Sequence, residues 1–457
     1  MPDDLSKQRG DYTQGSIIGS ILKMGLPSMF GFISQNIYAL ADTYWVSRLP
    51  AAEVAVAAIT FFHSIMWVYM SFNILVGAGS VPVISQRYGE KKFDETEKAI
   101  KETLSLKLAI GVVFGALGFL FVEDMLYLVG ARGEALELGI MYGRIMFIGT
   151  PFIQATYSIY TAMRGVANPK MAMILMIASN ILNLVLDPIL MFGYLGFPAM
   201  GINGAAIASV FSFTLTLAVG LFLFYFDFTN IALHIKGKLP MAVHSITKLL
   251  KIGFPAWVGE ISFSAARLLV VPMIAAFGTN VVAAYGVGNQ ITSLGIMILV
   301  GMGLGLSSLI GHNVGGGKID RAKKTGDRAI LLGVGIMTVY GLVTFFFAEP
   351  IIRAFFDNPD TVSVGTLMLR IFAIGFPFFG AFFMVQEIHV GVGLNTPAMV
   401  MALVHSWLLE VLPIYFFTQY LGYDADTIWW IITTSGVIIS AAFYIYYLRG
   451  RWLTVKL

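Results

Sequence analysis

Two stretches decide the fold: RIMFIGTPFIQATYSIYTAMRG at residues 144–165 and RIFAIGFPFFGAFFMVQEIHVG at residues 370–391. Each is long and apolar enough for a helix that crosses a ~30 Å hydrocarbon core. Arg144, Gly149, Pro151, Phe152 and Gly165 in the first recur as Arg370, Gly375, Pro377, Phe378 and Gly391 in the second, always 226 residues on. The spacing persists upstream, pairing Gly77 and Gly79 with Gly303 and Gly305, and Gly89, Lys92 and Asp94 with Gly315, Lys318 and Asp320. Glu123 likewise pairs with Glu349 and Gly139 with Gly365, and nearer the start Gly25 and Pro27 recur 228 residues later as Gly253 and Pro255. A single spacing that preserves Pro and Arg marks a duplicated unit.

Composition says what solvent that unit needs. Hydrophobic residues are 57% of the 457 and charged residues 12%, where a soluble domain carries about 25% charge. The mean hydropathy is +0.80. A chain this apolar cannot cover itself with a polar surface, so lipid must solvate much of it. Its 48 glycines fit helices whose backbones approach closely. With no cysteine, disulfides, thiolate catalysis and Cys-ligated zinc are excluded.

Apolar runs predict spans near 17–46, 54–82, 103–122, 138–163, 171–195 and 203–226, then 252–278, 282–310, 328–348, 364–390, 398–421 and 427–448. The expected fold is an all-α membrane protein: twelve transmembrane helices in two homologous six-helix bundles, related as parallel repeats because six crossings return the chain to the same side. The bundles are 1–226 and 251–457, joined by a cytoplasmic linker at 227–250. The polar start has no short apolar core with a cleavage site, so it does not read as a removable signal peptide. Lys and Arg crowd the termini and even-numbered connectors, among them Lys7, Arg9, Lys91, Lys107, Lys236, Lys238, Lys248, Lys318, Arg321 and Lys456. Only Arg48, Arg132 and Arg353 fall on the other side. That asymmetry predicts a multi-pass plasma (cell inner) membrane protein with both termini cytoplasmic.

Enzymatic readings fail on their motifs. The Gly315-Gly316-Gly317-Lys318 turn lacks the first glycine of a P-loop and has Ile319 where a magnesium-binding hydroxyl belongs. There is no HExxH, nucleophile elbow or Asp-rich diphosphate motif. The chain reads as a transporter that needs no cofactor beyond a coupling ion and has no nucleic-acid partner.

Ionisable residues inside spans cost about 2.5–3.5 kcal/mol each at a helix centre, so each asks for a reason. Gln35, Tyr38 and Asp42 stand at i, i+3 and i+7 on one face of the first span, and Asn180, Asn183 and Asp187 repeat that spacing on the fifth. Pro188 after Asp187 loosens the helix there. Two carboxylates with amide and phenol neighbours suit a proton or cation site; the alternative is that both acids cap helix ends. In the second half, Glu260 and Arg267 share a face and could pair, and Gln386, Glu387 and His389 lie in the tenth span. Tyr142, Tyr157 and Tyr160, with Glu260, Gln386 and Glu387, are candidates to line a cavity for amphipathic or cationic compounds. The repeated Arg144 and Arg370 suggest a shared architectural role.

The sequence resembles the multidrug and toxic compound extrusion (MATE) family over nearly its whole length. The resemblance rests on Gly25-Leu26-Pro27 through Tyr38 to Ala41-Asp42-Thr43, on Arg164-Gly165, Asn168-Pro169, Asn183, Asp187-Pro188 and Gly201-Ile202-Asn203-Gly204-Ala205-Ala206, and on Gly253-Phe254-Pro255. It implies ATP-independent antiport: organic cations and amphipathic drugs leave in exchange for protons or sodium, by alternating access of two bundles in a functional monomer. It also implies that Asp42, Asn183 and Asp187 carry the coupling ion (the sodium ligands, if sodium is used), with Gln35 and, where the family has Thr, Ser209. Glu260 matches an acid some branches use in the second half. The Asp those branches add on the tenth span is replaced by Gln386 and Glu387, a pattern closer to the DinF-type branch. A flippase for lipid-linked sugars is the nearest alternative, and a membrane-embedded enzyme or channel the next.

Overall fold

The computed structural model describes residues 10–234 and 243–455. Lys7, Arg9, Lys236, Lys238, Lys456 and the middle of the 227–250 linker lie outside the described residues. Among the described residues twelve helices are long and apolar enough to span a membrane: α1 Ile17–Val46, α2 Ala52–Gly89, α3 Phe93–Leu128, α4 Gly133–Gly165, α5 Pro169–Phe192 and α6 Ile202–Tyr225. They continue with α7 Val243–Ala275, α8 Thr279–Gly315, α9 Ile319–Phe346, α10 Pro359–Val392, α11 Thr396–Tyr420 and α12 Asp426–Leu448. Local chemistry fixes several ends. Ser16, Asn168 and Asn358 accept backbone N–H groups at the starts of α1, α5 and α10, the last two just before a proline. Gly193 and Gly393 close α5 and α10 in the left-handed region.

The duplication is visible in the packing. In the first bundle α3 lies on α4, and in the second α9 lies on α10. A methyl group on Gly115 would sit 2.6 Å from the Phe147 carbonyl oxygen, and one on Gly341 would sit 2.8 Å from that of Ala373. These are equivalent positions in the two copies, so each half needs a glycine at the same close approach. Arg144 lies over Phe119 at 5.6 Å and Arg370 over Phe345 at 5.9 Å, again equivalent pairs and within cation–π range. The shared role expected for the two arginines is this brace between neighbouring helices.

The bundles meet reciprocally, α1 on α8 and α7 on α2, with α2 also on α8. Backbone touches backbone along this seam. A methyl group on Gly89 would lie 2.3 Å from the His312 carbonyl oxygen, and one on Gly315, 2.0 Å from that of Gln86. Gly79 and Gly253 are as tight, at 2.1 Å from the Leu249 oxygen and 1.7 Å from that of Leu75. Cross-bundle hydrogen bonds follow the same line. Trp257 Nε1 donates to Ser71 (3.0 Å), His312 Nε2 meets the Gly165 carbonyl (2.6 Å), and Arg321 donates to the carbonyls of Gln14 and Gly15 (2.9 Å each). Among the described residues every inter-bundle hydrogen bond lies at mid-length or nearer the face that bears the chain ends. Towards the opposite face Leu40, Trp67 and Leu268 stand exposed. Hydrogen bonding between the bundles is thus concentrated towards the terminal face.

Three expectations change. Helices run past the apolar spans: α3 begins at Phe93 rather than 103, because Glu97, Lys101 and their neighbours extend it as a polar-faced helix. Lys107, counted with the connectors, is instead buried inside α3 at 1% exposure and donates to Asn73 of α2 at 2.6 Å. Residues 243–250, assigned to the linker, form the first two turns of α7. In α11 the turns on either side of Leu412–Ile414, which contains Pro413, widen to π-helix.

Candidate functional site

Towards the face opposite the chain ends, α1, α5 and α6 of the first bundle converge on a polar cluster. Tyr38 of α1 and Ser209 of α6 share a hydrogen bond of 2.8 Å. The amide orientation of Asn183 that satisfies both of its ends has Oδ1 accepting from Ser209 Oγ (3.2 Å) and Nδ2 donating to Asp187 Oδ2 (2.9 Å). With the Ser209 proton committed to Asn183, the Tyr38 hydroxyl donates to Ser209. The donors therefore run in one direction, Tyr38 to Ser209 to Asn183 to Asp187.

Asp187 is fully buried and Asp42 is 6% exposed. The two carboxylates are close enough to feel each other's charge, and Oδ1 of each has no hydrogen-bond partner. Neither caps a helix: both lie at least a turn inside, towards the C-terminal ends of α1 and α5, where the helix dipole disfavours an anion. Pro188 has no N–H to give the carbonyl of Leu184 one turn back. Two desolvated carboxylates with unpartnered oxygens form a site that lacks a positive charge.

The other residues expected in the first bundle surround this cluster. Gln35 donates to the Tyr157 hydroxyl (3.2 Å), and Asn180 donates to Ser34 (2.7 Å), a partner the sequence did not single out. Tyr142 is buried edge-on against Phe62 and within electrostatic reach of both acids. Tyr160 packs among Ile84, Met163 and Met176 in the core of the bundle rather than on an open wall. A cavity of about 210 Å³ lined by Ser34, Tyr38, Asn180 and apolar residues opens between α1 and α5.

Among the described residues the second bundle brings no two acids together in this way; its polar groups gather instead around Glu410 of α11, which lies 3.8 Å from His405, itself 3.3 Å from Ser435 Oγ. Glu260 is half-buried on α7. The pairing of Glu260 with Arg267 does not form: Arg267 donates to Asn289 of α8 at 2.7 Å and its charge reaches Glu410. Glu387 is buried against Gly303, within electrostatic reach of the buried Arg164 across the seam, while Gln386 beside it is half-buried. Among the described residues no group of three or more His, Cys, Asp or Glu could hold a metal ion. A sodium ion would depend on Asp42 and Asp187 with the Asn183 amide and neighbouring oxygens.

The family model MatE matches residues 27–189 and again 255–416. The curated relatives include "Probable multidrug resistance protein YoeA" of Bacillus subtilis (strain 168), 29% identical over 78% of this chain and 77% of that protein. They also include "Multidrug export protein MepA" of Staphylococcus aureus (strain MSSA476), 24% identical over 97% and 96%. A solved structure described as "Crystal structure of MATE in the bent conformation" superposes with a TM-score of 0.88 at 23% identity, covering 99% of this chain and 98% of that one. Another, "Outward-facing conformation of a multidrug resistance MATE family transporter of the MOP superfamily", gives 0.87 at 22% identity with full coverage of both.

Proposed function

This chain belongs to the MATE family, and from that membership we propose that it is a secondary active multidrug exporter, driving amphipathic or cationic drugs outward in exchange for a cation. The relatives' names support the cargo class. The observation that carries the coupling is the pair of unpartnered oxygens, Asp42 Oδ1 and Asp187 Oδ1, the second on the carboxylate whose Oδ2 ends a one-way donor chain.

In this reading the proton is the coupling ion. Asn183 Oδ1 already accepts from Ser209 N and Oγ, and the two unpartnered carboxylate oxygens each need no more than a proton. The bundles 1–226 and 251–457 alternate access about the glycine seam, with the Lys- and Arg-rich terminal face in the cytoplasm of the plasma membrane. The state described is then outward-open. A proton arriving from outside neutralises the acid pair; α1, which holds Tyr38 and Asp42, repacks, and the drug is released. The ion can drive this only through its different affinity for the two states. One chain holds the complete pathway and catalyses no covalent chemistry.

The test uses purified protein in liposomes loaded with a fluorescent cationic dye, under a pH or a sodium gradient. Wild type should move dye under the pH gradient, and Asp42→Asn should not, although it folds and binds dye. Full gradient-driven transport by Asp42→Asn contradicts the assignment, and transport under the sodium gradient alone contradicts the proton.

A further inference from the structure

A second polar cavity lies at the opposite end of the molecule from the acid pair. It has a volume of about 390 Å³ and is walled by α2, α3 and the first turns of α7. Arg87, Lys98 and Lys248 line it together with Glu95 and Glu102. Arg87 pairs with Glu95. Lys248, half-buried, has no acid within ion-pair distance among the described residues; from the other bundle it feels the charge of Arg87 and, against it, that of Glu90. Arg87 brings its own acid, but Lys248 across the seam has none at contact, and an anion lodged between the two would meet both cations.

Glu102 asks for the reverse. It is 6% exposed, its Oε1 has no hydrogen-bond partner, and the nearest cation, Lys98, stands at 4.0 Å. One cavity thus presents on α7 a cation with no acid at contact and on α3 a buried acceptor whose only ion-pair partner, Lys98, stands beyond hydrogen-bond reach. Val83, Ala99 and Leu249 make its remaining wall, and Leu249 continues into an apolar floor with Val76 and Leu106. The position is where spanning helices emerge from the bilayer.

We propose that this cavity binds a phosphoethanolamine headgroup as carried by an aminophospholipid: phosphate between Arg87 and Lys248, ammonium donating to Glu102, glycerol and chains along Val83 and Leu249. A phosphate alone leaves Glu102 unsatisfied and a quaternary ammonium has no N–H to give it, so headgroup chemistry sets the preference. Because the walls come from both bundles, the bound lipid favours the state closed at this end. That consequence rests on the alternating-access reading; the site does not.

The experiment measures lipid binding to the purified full chain by native mass spectrometry and thermal shift, with short-chain phosphatidylethanolamine, phosphatidylcholine and phosphatidylglycerol. Soluble phosphoethanolamine and inorganic phosphate form separate arms. Phosphatidylethanolamine should bind about tenfold more tightly than phosphatidylcholine, as a hydrogen bond to a charged group implies. Glu102→Gln should erase that preference, and Lys248→Gln should weaken both lipids about fivefold. Melting without lipid shows that each variant is folded, and neither variant alters the acid pair. Equal binding of the two lipids by wild type, or unchanged binding by Lys248→Gln, overturns the site. Inorganic phosphate binding as tightly as the lipid overturns the lipid source.

Discussion

Gly253→Ala places one methyl group where the two bundles meet. Its carbon would lie 1.7 Å from the Leu75 carbonyl oxygen and 2.8 Å from the carbon that bears it. Both are backbone atoms with no rotamer to yield, and ordinary contact begins at 3.4 Å. The helices must part by about 1.5 Å, and because Leu75 belongs to the other bundle, the bundles can separate without either unfolding. Inserting one carbon into a close-packed contact costs about 1–3 kcal/mol. If that cost falls only on the closed arrangement, the ratio of closed to open molecules drops between about fivefold and 150-fold. The chain has no cysteine, so cysteines at the exposed, repeat-equivalent Asp94 and Asp320 give a unique spin-label pair across the seam. Double electron–electron resonance should show a longer distance population for Gly253→Ala than for wild type. Gly77→Ala is the control: a methyl group there meets nothing within 4 Å, so its distances should match wild type. If Gly253→Ala also matches, the seam is not what holds the terminal face shut.

Two further predictions address single interactions. Tyr38→Phe and Ser209→Ala each break the same relay, so in a double-mutant cycle on pH-driven dye export they should couple by about 0.5–1.5 kcal/mol; strict additivity would mean the relay does not act as a unit. Asp11, outside the spanning helices, is pushed up by burial but held lower on balance by hydrogen bonds from Thr13 N (2.8 Å) and Oγ1 (2.6 Å) and by the nearby Lys91 charge. Its turn is therefore at full strength above about pH 4 and weakens as pH falls through the lower folded value, so a nitroxide at Gln14 should gain mobility only below pH 4, and a gain already near pH 6 would contradict the turn's role.

The acid site was legible because Asp42, Asn183 and Asp187 interrupt otherwise apolar helices, and a polar residue in lipid announces itself. Ser209 was reachable only through the family resemblance, since a serine among alanines on α6 is an ordinary packing residue. Which partner it takes depends on how far α6 is rotated, and no single-helix pattern encodes that. Glu260 and Arg267 show the same limit: they share a face, yet Arg267 turns to Asn289 on α8. Lys107 misled for another reason. A lysine between a charged stretch and an apolar run reads as an interface residue, and only the position of Asn73 on α2 reveals it as buried. The glycine repeats told that the halves match, but not that Gly89 and Gly315 lie reciprocally on the carbonyls of His312 and Gln86.

Under the proposed alternating access, that reciprocity bears on how the bundles would cycle without jamming. Interlocked side chains would have to withdraw and find their sockets again at every turnover, losing and regaining rotamer freedom each time. At the glycine crossings a bare backbone slides off a bare backbone. The carbonyls that touch there are already hydrogen-bonded within their own helices, so water entering the gap meets few thirsty groups. Surfaces that part this cheaply also rejoin cheaply, and they wear no preferred direction. In the proposed cycle the glycines would supply the low-cost part of the joint, the hydrogen bonds from Trp257, His312 and Arg321 the part that must break, and the choice of which side opens would be left to whatever charge or cargo the bundles hold.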